Sequence, residues 1–231
     1  MDVGRMVIEF KIGVDKIDSY NSSLLLPEEI DTFLQNAYEE FIETRMSGFN
    51  EHRTGLEQTQ KRMDDLKGLM STYSTSTFST GSLNNSKFVS LPDDYRHAVQ
   101  ESVLIECTNE LTRGSKEVEV IPIDHGKYNR LMKNPFTAAN EKRVLRLSYQ
   151  DKHELIYKDI TPATYRMRYI REPLKIDSAQ VRTPLGLTSG QTIELDESTH
   201  REIVAIAVSN ALEAIMSPRF QSKLVLNKTI E

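Results

Sequence analysis

Thr164 to Pro173 reads T-Y-R-M-R-Y-I-R-E-P, and its alternation decides the fold. A period of two places Tyr165, Met167 and Tyr169 on one face and Arg166, Arg168 and Ile170 on the other, the pattern of a strand with one side buried. Pro173 lacks the amide donor that would continue a ladder, so the strand ends there. The strand carries Arg166, Arg168 and Arg171, with Glu172 the only acid nearby. Such a stripe requires acidic partners, whether from neighbouring strands, from a neighbouring subunit or from nucleic-acid phosphates.

Working back from this strand, residues 87–173 predict an antiparallel β region. Phe88, Val89 and Leu91 lead into Leu91-Pro92-Asp93-Asp94-Tyr95, where the proline and the two aspartates suit a turn. Ala98 to Thr108 reads as a strand, with Val99, Val103, Ile105 and Cys107 apolar. Asn109 to Ser115, containing Gly114, is a hairpin turn, and Val118, Val120, Ile121 and Ile123 form the return strand. Asp124 is placed to cap a short helix from His125 to Met132, which closes at Asn134-Pro135-Phe136. Val144 to Tyr149 and Glu154 to Tyr157 predict two more strands, joined by Gln150-Asp151-Lys152. The arginine strand completes the sheet.

Residues 1–86 have a helical character that ends in a polar segment. Val3 to Asp18 is read as a helix in preference to an extended arm. Pro27 in a first turn, followed by Glu28 and Glu29, opens the clearest helix in the chain. Ile30, Phe33, Leu34, Ala37, Tyr38, Phe41, Ile42 and Met46 then form one continuous stripe, with Asp31, Gln35, Glu39 and Glu40 mostly outside it. Beyond Gly48, Glu51 to Met70 predicts a second helix with Leu56, Met63, Leu66 and Met70 on its apolar side, so the pair forms an αα-hairpin. Ser71 to Ser86 then consists of Ser, Thr, Asn and Gly apart from Tyr73, Phe78 and Leu83. Such a segment cannot bury a core by itself, and is expected at the surface as a loop or a projecting β-hairpin.

Past the arginine strand, residues 174–231 begin with an extended linker, Leu174 to Gln191, interrupted by Pro184, Gly186 and Gly190. Asp196 and Ser198 are candidate caps for the last helix, and Thr199 with Glu202 has capping-box spacing. Ile203, Ile206, Ala207, Ala211, Ala214 and Ile215 supply its buried face. Ser217 and Pro218 stop it, leaving a tail with Arg219, Phe220, Leu224, Val225, Leu226 and Ile230. An alternating apolar tail is a candidate for docking on another subunit. The expected fold class is α+β: an N-terminal helical hairpin and a C-terminal helix packed with a small antiparallel β-sheet, with an extended C-terminal tail, all in one composite domain.

Composition narrows the function. The chain of 231 residues carries a net charge of −5, which argues against nonspecific wrapping of nucleic acid. Cys107 is the only cysteine, which excludes an intrachain disulfide and a thiolate zinc site. The first residues lack a basic start followed by an apolar run, and no apolar run is long enough for a bilayer, so a soluble protein is expected. Asp93, Asp94 and His97 are possible metal ligands but lack a supporting pattern, and position 157 is Tyr, so H-E-x-x-H is absent. Neither Gly114-Ser115-Lys116 nor Gly126-Lys127 has the upstream glycine of a phosphate loop. No catalytic constellation, metal site or cofactor is expected.

The order of motifs carries a resemblance. L-P-D-D-Y at Leu91 to Tyr95, two strands, Tyr128 to Leu131 leading to Asn134-Pro135-Phe136, Tyr165 to Pro173 and an acid-capped helix at Glu197 follow in turn. This order resembles the head-to-tail connector proteins of short-tailed phages, and most closely the ring proteins of crAss-like phages. F-K-I-G-V-D-K-I-D-S-Y at Phe10 to Tyr20 and L-L-P-E-E-I-D-T-F-L at Leu25 to Leu34 are similar to N-termini in that group. The resemblance implies a virion structural protein assembled in the host cytoplasm, a ring of about twelve copies beneath the portal, with DNA passing through its channel. Portal protein and adjacent neck or tail rings are the implied partners, with no membrane. Expected interface residues are Tyr165, Arg166, Arg168, Tyr169 and Arg171 on the strand and Arg219, Phe220, Leu224 and Leu226 on the tail. The alternatives are another neck or tail ring of the same particle and a DNA-binding packaging or assembly factor.

Overall fold

The computed structural model describes residues 1–14, 25–46, 60–107, 114–158, 160–178, 187 and 190–214. The chain divides into two compact units, a helical one drawn from Met1–Leu69 and Pro173–Glu231 and a β one formed by Met70–Glu172.

In the helical unit the described elements are α1 (Val3–Val14), α2 (Pro27–Met46), α3 (Gln60–Leu66) and α5 (His200–Ala214). The start of α2 is reciprocally capped. The Leu26 carbonyl accepts the Glu29 and Ile30 amides, and the Glu29 carboxylate accepts the Leu26 amide at 2.8 Å. Ile30, Leu34, Ala37, Tyr38, Phe41 and Ile42 are buried as their spacing requires. This stripe packs mainly on α5, rather than on the following helix as in a simple hairpin. Ile203, Val204, Ala207, Ala211 and Leu212 of α5 are buried, the alanines permitting close approach, and Val208 lies against Gly13 of α1. On α5, Ala214 is exposed, contrary to expectation, and Ile215 lies outside the described residues. Asp196 opens the helix as expected, its Oδ1 accepting the Glu197 amide at 2.8 Å.

Two polar side chains of α2 are also buried, although Asp31 was expected outside the stripe. Asp31 Oδ2 accepts the Ser178 amide at 3.0 Å and its hydroxyl at 2.9 Å. Arg45 reaches Asp65 at 3.1 Å and Glu202 at 2.5 Å, with its guanidinium 4.7 Å from the Phe41 ring centre. Apolar periodicity cannot detect such positions, because their burial depends on partners far along the chain.

The second predicted helix ends early. Its described part is α3 and a single 3₁₀ turn, Lys67–Leu69; residues 51–59, including Leu56, lie outside the described residues. Leu69 is buried and Met70 is 43% exposed, the reverse of the expected stripe. At Gly68 an added Cβ would sit 1.9 Å from the Glu194 carbonyl oxygen, so only glycine fits where the two backbones pass.

Met70 opens the β unit. Its strands are β1 (Met70–Thr75), β2 (Ser79–Thr80), β3 (Ser86–Ser90), β4 (Tyr95–Cys107), β5 (Gly114–Pro122), β6 (Arg143–Ser148), β7 (Lys152–Ile156) and β8 (Pro162–Arg171), with α4 (Tyr128–Lys133) between β5 and β6. They form one 8-stranded sheet in the order β1-β8-β4-β5-β6-β7-β3-β2. The sheet is larger than expected and is mixed, because β5 and β6 run parallel with Val120 opposite Val144. A parallel step needs a crossover, and α4 lies within it. Asp124 does not cap this segment through its side chain as expected; its carboxylate pairs with the Lys127 ammonium.

The polar segment is not a loop or a separate projecting hairpin over its first part. Met70 to Thr75 pairs residue by residue with Ile170 to Tyr165 as an edge strand of the same sheet. Threonine suits a strand and Tyr73 packs against the core, so few apolar residues suffice at an edge. The sheet curls: Val89 on β3 and Tyr165 on β8, distant in strand order, share one core with Val103, Val118, Val144, Leu155 and Met167. On the other side of β6 and β7, Leu145, Leu147 and Ile156 pack with Ala139, Leu83, Tyr128 and Met132.

Candidate interaction surface

The alternation of β8 holds through its centre. Tyr165, Met167 and Tyr169 are buried, and Arg166 and Arg168 are exposed; Ile170, expected on the arginine face, is buried as well. Opposite Arg166 lie Ser74 of β1 and Ser102 of β4, and opposite Arg168 lie Thr72 and Gln100. These neighbours are neutral, so the adjacent strands do not supply acids. Among the described residues no carboxylate pairs with Arg166 or Arg168. The same face carries Glu119 and Glu117 on β5, opposite Ser102 and Leu104 of β4. That is a further strand away from the arginines, about 10 Å at ordinary strand spacing. Glu117 instead accepts the Ser102 hydroxyl at 2.6 Å.

The other expected strand residues are differently placed. Arg171 is half-buried opposite Tyr95. Tyr169 donates its hydroxyl to Asp94 Oδ1 at 2.8 Å, and burial raises its pKa. Tyr165 is fully enclosed in this chain's own core. Arg219, Phe220, Leu224 and Leu226 lie outside the described residues.

Tyr165 belongs to a buried polar set that no local motif announced. Its hydroxyl donates to Glu101 Oε2 at 2.9 Å, and Arg146 Nε lies 3.2 Å from the same oxygen, an ion pair without hydrogen-bonding geometry. A second guanidinium nitrogen of Arg146 lies 2.7 Å from His153 Nε2. An arginine only donates, so Nε2 accepts, and Nδ1 carries the proton towards the Tyr165 oxygen at 3.3 Å. Residues from β4, β6, β7 and β8 are thereby tied together inside the sheet.

Burial shapes the titration of this set. It raises the Glu101 pKa against the lowering influence of Arg146 and Tyr165. Burial first, and the neighbouring Arg146 charge second, lower the His153 pKa from 6.5 to about 3. Between these pH values the unfolded chain binds a proton at His153 that the folded chain refuses. The corresponding stability is complete above pH 6.5 and is lost as pH falls towards about 3. Glu101 works in the opposite sense, binding a proton more readily when folded, and offsets part of the loss. Urea unfolding of wild type and His153→Phe from pH 7 to pH 4 is expected to show a steeper acid loss in wild type, by up to about 1.4 kcal/mol per pH unit. Parallel curves would mean that His153 titrates normally in the fold.

A second buried carboxylate organises the end of the polar segment. Glu154 is 0% exposed and accepts the Ser82 and Leu83 amides at 2.6 and 3.0 Å, with hydroxyls of Ser82, Ser86 and Tyr149 at 2.7–2.9 Å. These bonds lower its pKa despite burial. Asn85 takes a left-handed turn with φ 57°, and Gly81 leaves room for Ser86. The serines that looked like loop composition are thus ligands for one carboxylate.

The buried carboxylates Glu101 and Glu154 hold strands together from within the fold, whereas Arg166 and Arg168 face outward. Compared with known protein families, residues 1–223 match the family described as phage tail ring protein 3/4. The chain belongs to that family. This ring protein is 33% identical over 192 residues to Ring protein 3 of Bacteroides phage crAss001, covering 80% of its own length and 83% of the relative's. The resemblance drawn from Leu91 to Tyr95, Tyr165 to Pro173 and the N-terminal motifs therefore holds at the level of the family, and places the ring protein among virion structural components. Among its described residues no helix is long and apolar enough to cross a membrane.

Proposed function

We propose that this ring protein assembles in the host cytoplasm into a closed ring of about twelve copies that joins the capsid portal to the tail around the DNA exit channel. The observation that carries this reading is the exposed Arg166–Arg168 pair, which lacks a carboxylate among the described residues of its own chain. A head-to-tail ring needs two different complementary patches on every copy, and an outward arginine pair on a rigid sheet supplies one of them. The net charge of −5 suits a channel that passes DNA without gripping it. The tail bearing Arg219, Phe220, Leu224 and Leu226 reaches the portal, and a neighbouring neck or tail ring contacts the opposite side.

Quantitative mass spectrometry of purified virions tests this reading. About twelve copies per particle is the expected count; absence from the particle refutes it. The same count with density elsewhere in the neck or tail would move the ring without changing its nature. The arginine pair also favours a second reading, a DNA-binding packaging or assembly factor. That reading requires an affinity for DNA that falls steeply with salt, and no measurable binding at low salt disposes of it.

A further inference from the structure

The surface complementary to the arginine pair is present on the same polypeptide. α2 carries Arg45 as its only basic residue, and that side chain is buried against Asp65 and Glu202. Its exposed charged side chains are therefore all acidic: Glu28, Glu29, Glu39, Glu40 and Glu43. Among the described residues, Glu39 and Glu40 accept hydrogen bonds from amide side chains, those of Gln35 and Asn210.

The two surfaces also match in spacing. Arg166 and Arg168 are two residues apart on one face of a strand, a separation of about 6.8 Å. Glu39 and Glu43 are one helical turn apart, with Cβ atoms about 6 Å from each other. A helix laid along β8 therefore offers one carboxylate to each guanidinium, and the planar donor fork of arginine suits that pairing. We infer that the Arg166–Arg168 face of one copy docks on the Glu39–Glu43 face of α2 in the next copy, forming the heterologous contact that repeats around the ring. This inference rests on the ring reading and names the surfaces that close it.

Charge reversal of the full chain tests it. Arg166→Glu/Arg168→Glu sets acid against acid, and Glu39→Lys/Glu43→Lys sets base against base. Each variant alone is expected to self-associate at least about 100-fold more weakly than wild type in sedimentation at low salt. An equimolar mixture restores opposite charges at both alternating contacts, and is expected to recover association. All the substituted side chains are exposed, and circular dichroism checks that each variant folds. Wild type that stays monomeric at every concentration, single variants that associate like wild type, or a mixture that recovers nothing would each overturn the inference. Incorporation of the reversed variants into virions at the wild-type copy number would remove this contact and leave the ring itself standing.

Discussion

Replacing Arg146 with methionine is expected to cost the β unit about 3–5 kcal/mol at neutral pH, the range for stranding one charge of a buried pair. Methionine keeps most of the volume, so the loss comes from electrostatics rather than from a cavity. Glu101 would keep the Tyr165 hydroxyl but lose its only cation in the buried set, and His153 would lose its donor. The Glu101 pKa, already raised by burial, would rise further without the lowering influence of Arg146. A folded pKa above the unfolded value of 4.5 means that the native chain binds the extra proton, so stability falls as pH rises through that window. The variant should accordingly suffer less at pH 5 than at pH 8. Arg146→Met/Glu101→Gln should recover a large part of the loss, because it removes both charges together. Amide hydrogen exchange of β4 and β7 in the full chain reads the effect locally. Equal protection in the single and double variants would show that the ion pair carries no coupling.

Glu154→Ala is expected to cost about 1–3 kcal/mol, because it leaves the half-buried Ser82 and Leu83 amides and the buried Ser86 hydroxyl without their common acceptor. Glu154→Gln separates charge from geometry. Its carbonyl can still accept the two amides, while its amino group faces hydroxyls that rotate to accept, so a loss of about 1–2 kcal/mol is expected. The folded pKa of Glu154 lies below its unfolded value, so its contribution is present above pH 4.5 and is lost as pH falls. The glutamine variant should lack that acid sensitivity. Exchange of the 81–86 amides in the full chain checks both variants, and unaltered protection in Glu154→Ala would exclude Glu154 as the organiser of the segment.

These two carboxylates mark the limit of what could be read from the chain. Lys152 precedes and Leu155 and Ile156 follow His153 and Glu154 in an ordinary strand pattern, and nothing local distinguishes a buried glutamate from a solvated one. The Tyr165–Glu101 bond joins residues 64 apart, and the Ser82–Glu154 bonds join residues 72 apart. By contrast, the outward placement of Arg166 and Arg168 on β8 was legible because one strand's alternation reports which side chains point away from the core.

Sequence by itself determined the α+β class, the courses of α2 and α5, the alternation of β8 through Tyr169 and the family, because each is carried by periodicity or motif order within short windows. Tertiary structure alone decided that β1 joins the sheet, that β5 and β6 run parallel, and that Ile170 and Asp31 are buried. It also decided that serine, threonine and glutamine, not acids, flank Arg166 and Arg168. The physical reason is that strand pairing and charge compensation are contacts between distant segments, so a residue's own neighbours in the chain do not specify them.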